Sequence, residues 1–412
     1  MLRVRPSRDP LTIGEGARAM MLRGRPPATT WTKGSVRALM AAVGVNLAGV
    51  LPLFLTGAMA VQIGKDMALD PGGIGFVVAA FASVSLLTSA PLGRTVGSLG
   101  ITTSMRTAAA VSCMALAAAA AAPTPVLLAS ALAIGGLSNS LGQPASNALV
   151  AARVPASRFG MAYAIKQSAI PLSILLGGLA VPTIALTLHW RAAYVAAALL
   201  SLLAGFLVPA NVQPSAGRAE RPVAPGERAG AWLLAAGLAA AAIAATSNGA
   251  HAASSAVAVG FSESTAGYLV AAGGAAGLAV RLAAGWRADR VQGGALIAAA
   301  ALCAAGAVGW LMMSTMSPWP FLIGLLAANA FGWGWPGLIH LAVARRFPES
   351  TAAASGITQT GVSLGLLTGP VLIGVIATSL GWGLAWLTAA AAAFAGASVM
   401  LLARRRLRRV RP

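Results

Sequence analysis

An all-α membrane protein, with twelve transmembrane helices in two pseudo-symmetric six-helix bundles, is the fold class this sequence predicts. Three observations predict it. First, 58% of the 412 residues are hydrophobic and only 9% are charged, far outside the composition of a soluble domain. Second, apolar stretches nearly free of charge recur along the whole length, each of the ~20 residues that a helix needs to cross the hydrocarbon core. Third, the chain repeats itself. Gly75-Phe76-Val77-Val78-Ala79-Ala80 returns as Gly267-Tyr268-Leu269-Val270-Ala271-Ala272, an offset of 267 − 75 = 192 residues. At the same offset Gly142-Gln143-Pro144 returns as Gly334-Trp335-Pro336, Ala164-Ile165-Lys166-Gln167-Ser168 as Gly356-Ile357-Thr358-Gln359-Thr360, and Trp190 as Trp382. A duplicated apolar half of this size marks many secondary transporters, whose solute site lies between the halves.

The twelve stretches fall at about 36–62, 72–93, 103–122, 125–151, 159–183, 191–210, 231–254, 264–285, 294–315, 319–344, 353–378 and 383–403. Backbone groups in lipid must bond within the segment and the runs are too long for barrel strands, so they are helices. The organisation that follows is a basic cytoplasmic tail over 1–35, an N-terminal bundle over 36–210, a linker over 211–230, a C-terminal bundle over 231–403 and a second basic tail over 404–412. The linker carries Pro214, Pro222 and Pro225 among Arg and Glu, the composition of a flexible connection. Asp70-Pro71-Gly72-Gly73 and Ser262-Glu263-Ser264 stand where the second and eighth helices should be capped. Pro123 and Pro125 part the third span from the fourth, as Ser317, Pro318 and Pro320 part the ninth from the tenth.

The formal net charge is +20. Its distribution points to orientation rather than to nucleic acid. With both termini placed in the cytoplasm, 25 of the 29 Lys and Arg residues fall in the tails and on the cytoplasmic side, which is the positive-inside rule. The tails then meet anionic headgroups. The first residues are Arg-rich but lack the apolar core and cleavage site of a secretory signal, and Met20 and Met21 offer alternative starts. Cys113 and Cys303 lie inside spans, where lone thiols act as small apolar fillers and imply no disulfide framework.

The loop between the second and third helices of each half carries the sharpest motif. In the second half it reads Gly285-Trp286-Arg287-Ala288-Asp289-Arg290-Val291-Gln292. This resembles the G-x-x-x-D-R-x-G loop of the major facilitator superfamily. The first copy, Gly93-Arg94-Thr95-Val96-Gly97-Ser98-Leu99-Gly100, keeps both glycines and loses both charges. The resemblance covers nearly the whole chain. It implies two six-helix bundles around a central cavity that opens alternately to each side. It also implies gating roles for Gly93, Gly285, Asp289 and Arg290, with Asp289 as a latch on the start of the fifth helix near Arg158. A carboxylate at a helix N-terminus is favoured by ~0.3–1 kcal/mol. Arg281, four residues before Gly285, is expected to snorkel or to join the cytoplasmic gate.

Polar groups at membrane depth are the candidate binding residues. All nine acidic residues lie in tails or loops, so no carboxylate is placed to relay protons. Lys166 sits about eight residues into the fifth span, ~12 Å from its start at 1.5 Å per residue. Three readings are open for it: contact with a bound anion, snorkelling, and a structural bond to a carbonyl. Asn139, Gln143 and Asn147 form one polar stripe at i, i+4, i+8 on the fourth span. Asn329 and Trp333 answer it on the tenth, Gln167 and Gln359 occupy equivalent positions in the fifth and eleventh, and Asn46 lies in the first. Bonding between helices and lining a cavity are the two readings for each amide. His251 shares a face with Asn248 near the outer end, while His189 and His340 are placed near opposite surfaces with no assigned role. Glycines one turn apart, Gly361, Gly365 and Gly369, and the cluster Gly273, Gly274 and Gly277, allow close helix approach, either as packing or as sliding surfaces.

The expected function is a secondary active or facilitative transporter of a small organic solute, anions included, working by alternating access. Asn46, Asn139, Gln143, Lys166, Gln167, Asn329, Trp333 and Gln359 are the expected substrate-binding residues. The alternative is a multidrug or metabolite exporter of amphipathic compounds. The spans hold no cluster of His and carboxylates or Ser and His for an enzyme. No metal or cofactor is expected. The expected partners are a small-molecule substrate and membrane lipids, without nucleic acid, for a monomer in a bacterial plasma membrane.

Overall fold

The computed structural model describes residues 31–210, 212, 222–291, 293–348 and 350–409. Most of the basic N-terminal tail, Arg218 and Arg221 of the linker, Gln292 and Glu349 lie outside the described residues. Among those residues every regular element is helical, and twelve spans are long and apolar enough to cross a membrane. The N-terminal half contributes α1 (Lys33–Ala58), the short α2 (Ala60–Met67), α3 (Pro71–Leu99), α4 (Ile101–Ala121), α5 (Pro125–Arg153), α6 (Phe159–Gln167), α7 (Ala169–Ala180) and α8 (Trp190–Leu207). The C-terminal half contributes α9 (Pro225–Val259), α10 (Glu263–Arg290), α11 (Ala295–Met313), α12 (Pro318–Gly332), α13 (Pro336–Arg346), α14 (Thr351–Leu380) and α15 (Trp382–Arg409).

Local chemistry sets the helix starts. Asp70 Oδ1 accepts from Gly73 N at 2.7 Å ahead of Pro71, and Ser262 Oγ accepts from Thr265 N at 3.1 Å, so both expected caps are in place. Thr124 caps α5 in the same way, with Pro125 at its first position. Helix α9 begins at Pro225, inside the stretch expected as linker, because a proline at the first helical position has its φ already set.

Two spans are interrupted. The fifth divides at Ser168 into α6 and α7 and ends in a π turn at Val181–Ala185. The tenth divides at Trp333–Trp335 into α12 and α13. Neither break was foreseen. Both have sequence causes. Pro171 lacks an N–H and leaves the carbonyl of Gln167, four residues earlier, without its helical donor. Gly332, Gly334 and Pro336 lie within five residues of one another, a run that holds helix poorly.

Within the first half α5 packs on α1, α3 and α4, and α8 on α1 and α4; within the second, α9 packs on α14 and α15, and α11 on α12 and α15. Across the halves α3 meets α14, α7 and α6 meet α10, α6 meets α13, and α1 meets α9. Glycine permits these seams. A Cβ at Gly274 would lie 2.5 Å from Leu175 N of α7, and one at Gly374 of α14 2.5 Å from Pro71 O of α3. The row Gly361, Gly365 and Gly369 instead presses on Ala235, Ala239 and Ile243 of α9, inside its own half.

Candidate functional site

A small cavity of about 70 Å³ lies where the halves meet. Its wall is aromatic and amide: Phe54, Phe81, Trp333 and Trp335 stand with Asn139, Gln143, Gln167 and Gln359. His340 and Thr358 complete the polar part. Trp333 and Trp335 stack at 6.1 Å across the α12–α13 break, and Phe54 meets Trp333 edge-on at 6.2 Å. Trp333 is fixed by donating Nε1–H to Ala245 O at 2.8 Å.

The structure brings five of the eight expected binding residues to this cavity: Asn139, Gln143, Gln167, Trp333 and Gln359. Asn46 stands behind the wall and donates to Gln167 Oε1 at 3.3 Å and to Lys166 O at 3.2 Å. Asn329 lines a smaller adjoining pocket with Asn248 and Ile174 and donates to Leu325 O.

Lys166 is fully buried, at 0% exposure, and is absent from the cavity wall. Its ammonium neither reaches a headgroup nor stands free for a solute. It donates to Gln143 Oε1 and, at 2.9 Å, to Asn147 Oδ1. The polar stripe of α5 is thus divided. Asn139 and Gln143 reach the cavity, while Gln143 and Asn147 hold the lysine.

Arg281 does not snorkel. It is 1% exposed, and its two terminal nitrogens donate to Gln167 O in the first half and to Trp333 O in the second. The reason is the pair of interruptions: each break frees a backbone carbonyl at membrane depth, and one guanidinium satisfies both. Planar geometry with several fixed donors suits Arg to such a bridge.

His340 was not foreseen in the wall. It is stacked on Tyr163 at 5.8 Å across the halves, and its Nε2 is 2.9 Å from Gln167 Nε2. Since the amide nitrogen can only donate, His340 Nε2 is the acceptor and its proton sits on Nδ1. Asn248 and His251 pack away from the cavity, with His251 Nε2 2.8 Å from Pro370 O and Asn248 Oδ1 accepting from Trp310.

The ends of the bundle carry further contacts between halves. At the linker end Asp289 Oδ1 accepts from Gly160 N at 2.8 Å and Oδ2 from Met161 N at 3.0 Å. Both donors lie in the first turn of α6, where unpaired N–H groups and the helix dipole favour a carboxylate. Gly285 is buried against Ala164 and Gly160 O, so the loop glycine permits this approach. Arg290 is exposed and lies over Trp286 at 3.8 Å, and Gly93 sits half-buried near Pro144. At the far end Gln62 donates to Glu263 at 2.7 Å, and Lys65 pairs with the same carboxylate. Beside them Asp66 accepts from Arg191 at 2.7 Å and Trp190 at 3.1 Å.

The family model for the Major Facilitator Superfamily matches residues 37–353. The chain belongs to this superfamily. It is a multi-pass membrane transporter and not an enzyme. No curated protein matched the sequence.

Proposed function

We propose that this major facilitator member moves a small organic anion with an apolar or aromatic body, by alternating access through the cavity between its halves. One observation carries the reading. Lys166 and Arg281 are buried at the cavity's edge with only neutral acceptors, amide and backbone carbonyls. The Asp and Glu residues of the chain all lie outside the spans or at their ends. Two positive charges buried behind the cavity wall, with no carboxylate partner among the described residues, favour an anion in the cavity.

The aromatic wall would hold the body of the solute, and Asn139, Gln143, Gln167 and Gln359 its polar groups. A uniporter, an anion exchanger and a symporter of protonated solute all accord with spans free of inner carboxylates. Orientation with both termini cytoplasmic, in a bacterial inner membrane, rests on the distribution of Lys and Arg.

Reconstitution into proteoliposomes tests the reading. Labelled monocarboxylates should exchange across the vesicle wall faster than across protein-free vesicles, and cationic dyes should not. Dye export without anion flux would replace this reading by an exporter of amphipathic compounds, which the walls of Phe54, Phe81, Trp333 and Trp335 also favour.

A further inference from the structure

Two residues of the cavity wall hold the same place in the two halves. Gln143 and Trp335 are 335 − 143 = 192 residues apart, the repeat offset, and each precedes a proline, Pro144 or Pro336. Both line the one cavity. They reach it from α5 and from the break before α13, which are the pseudo-equivalent spans.

Each carries an N–H donor that makes no hydrogen bond among the described residues. The orientation of the Gln143 amide is fixed by chemistry rather than by assignment. A lysine ammonium only donates, so the atom of Gln143 that meets Lys166 must be Oε1. The NH2 group is then turned away from the lysine, and no hydrogen bond among the described residues uses it. Trp335 is 1% exposed, and its Nε1–H has no partner among the described residues. A buried donor without an acceptor loses its hydration without return. A solute acceptor in the cavity would restore it. Asn139 Oδ1, in the same wall, is likewise without a partner and can take a donor from the solute.

We infer that Gln143 and Trp335 form a pseudo-twofold pair of N–H donors that takes the carboxylate of the transported solute. Lys166 serves as a positioning residue behind Gln143: it does not touch the solute but prevents the amide from turning over. A carboxylate fits because it offers two oxygens to two donors. Its charge strengthens each bond, and the lysine polarises the amide that donates to it. The repeat supplies one donor from each half, so the solute joins the two bundles directly. This rests on the organic-anion reading and names the chemical group that the site grips.

The test uses purified full-length protein and thermal-shift titration with monocarboxylates of rising apolar size (acetate, butyrate, benzoate, indole-3-acetate), each beside its primary amide. Wild type should be stabilised by at least one acid at concentrations tenfold below its amide. Gln143→Glu keeps the bond to Lys166 but presents oxygen instead of N–H. It should weaken that acid by 100-fold or more and leave the amide within threefold. Trp335→Phe keeps the ring and should weaken the acid about tenfold. Lys166→Met should lower the ratio of acid to amide affinity about tenfold, and Lys166→Arg should recover part of it. A loss of fold alone would not move that ratio. If Gln143→Glu binds the acid as wild type does, the donor pair is refuted while the anion reading stands. If wild type prefers amides to acids, or responds to none of the acids, both the carboxylate class and the pair are refuted.

Discussion

Replacing Asp289 by Asn should loosen the linker end of the bundle by a calculable amount. In the structure the carboxylate accepts two backbone hydrogens of α6, at 2.8 and 3.0 Å. Bonds to a charged group contribute roughly 1.5–3 kcal/mol each, and the charge at a helix N-terminus ~0.3–1 kcal/mol more. The amide keeps one acceptor oxygen, loses the other and loses the charge. It also turns an NH2 towards a backbone N–H. A net loss of about 2 kcal/mol follows, or about a 30-fold shift away from the conformation in which α6 and α10 meet. The reporter is a cysteine at Gly337, which faces Ala164 across the neighbouring α13–α6 seam, in a chain whose Cys113 and Cys303 are alanine. Its alkylation by a membrane-impermeant maleimide should speed up by about 30-fold in Asp289→Asn. Arg290→Gln, which alters an exposed side chain stacked on Trp286, should leave the rate unchanged. A rate for Asp289→Asn within twofold of the parent would show that the carboxylate does not hold this seam.

Three further outcomes follow from the packing and the charges. Arg281→Met leaves the carbonyls of Gln167 and Trp333 without donors, at ~1–3 kcal/mol each; the melting temperature in detergent should fall clearly and Arg281→Lys should recover part of it, whereas a melting temperature equal to the parent's would contradict the bridge. Gly274→Val should destabilise by ~1–3 kcal/mol through overpacking against Leu175, while Gly356→Ala, which meets nothing within 4 Å, should be neutral in the same melt. The Asp66 carboxyl is held below the usual carboxylate range, chiefly by the Arg191 hydrogen bond, with partial burial opposing and the Trp190 N–H assisting. Its contribution is therefore complete above the unfolded value of ~3.9 and is lost as pH falls through the lower folded value. The stability curve should lose an acid limb in Asp66→Asn, and stability at neutral pH should fall by only ~0.2–1 kcal/mol, as for other exposed pairs; an acid limb unchanged by the substitution would refute the assignment.

The spans were legible because lipid imposes a length and an absence of charge that few other structures require. Their starts were legible where Asp70-Pro71 and Ser262 supply caps. The Asp289 contact could be read because the loop places a carboxylate opposite a helix start. Three features were harder to read. Lys166 could be located but not its partners, since Gln143 and Asn147 lie one span earlier and only packing brings them together. Arg281 lies four residues from the loop glycine in sequence, but distance along the helix says nothing of which way a long side chain turns. His340 gains no role from the sequence because its position in the tenth span places it near a surface; the Gly332, Gly334 and Pro336 run is the sign that this span breaks inside the membrane and presents a cavity wall.

The guanidinium that joins the two interruptions also sets an order on biogenesis. Lys166 emerges from the ribosome after Gln143 and Asn147, so its amide cradle already exists when its helix enters the bilayer. Arg281 emerges after Gln167 but before Trp333, some 50 residues ahead of its second acceptor. Until the tenth span is synthesised, Arg281 has only one of its two acceptors, so a chain terminated between them should be less stable than the full chain.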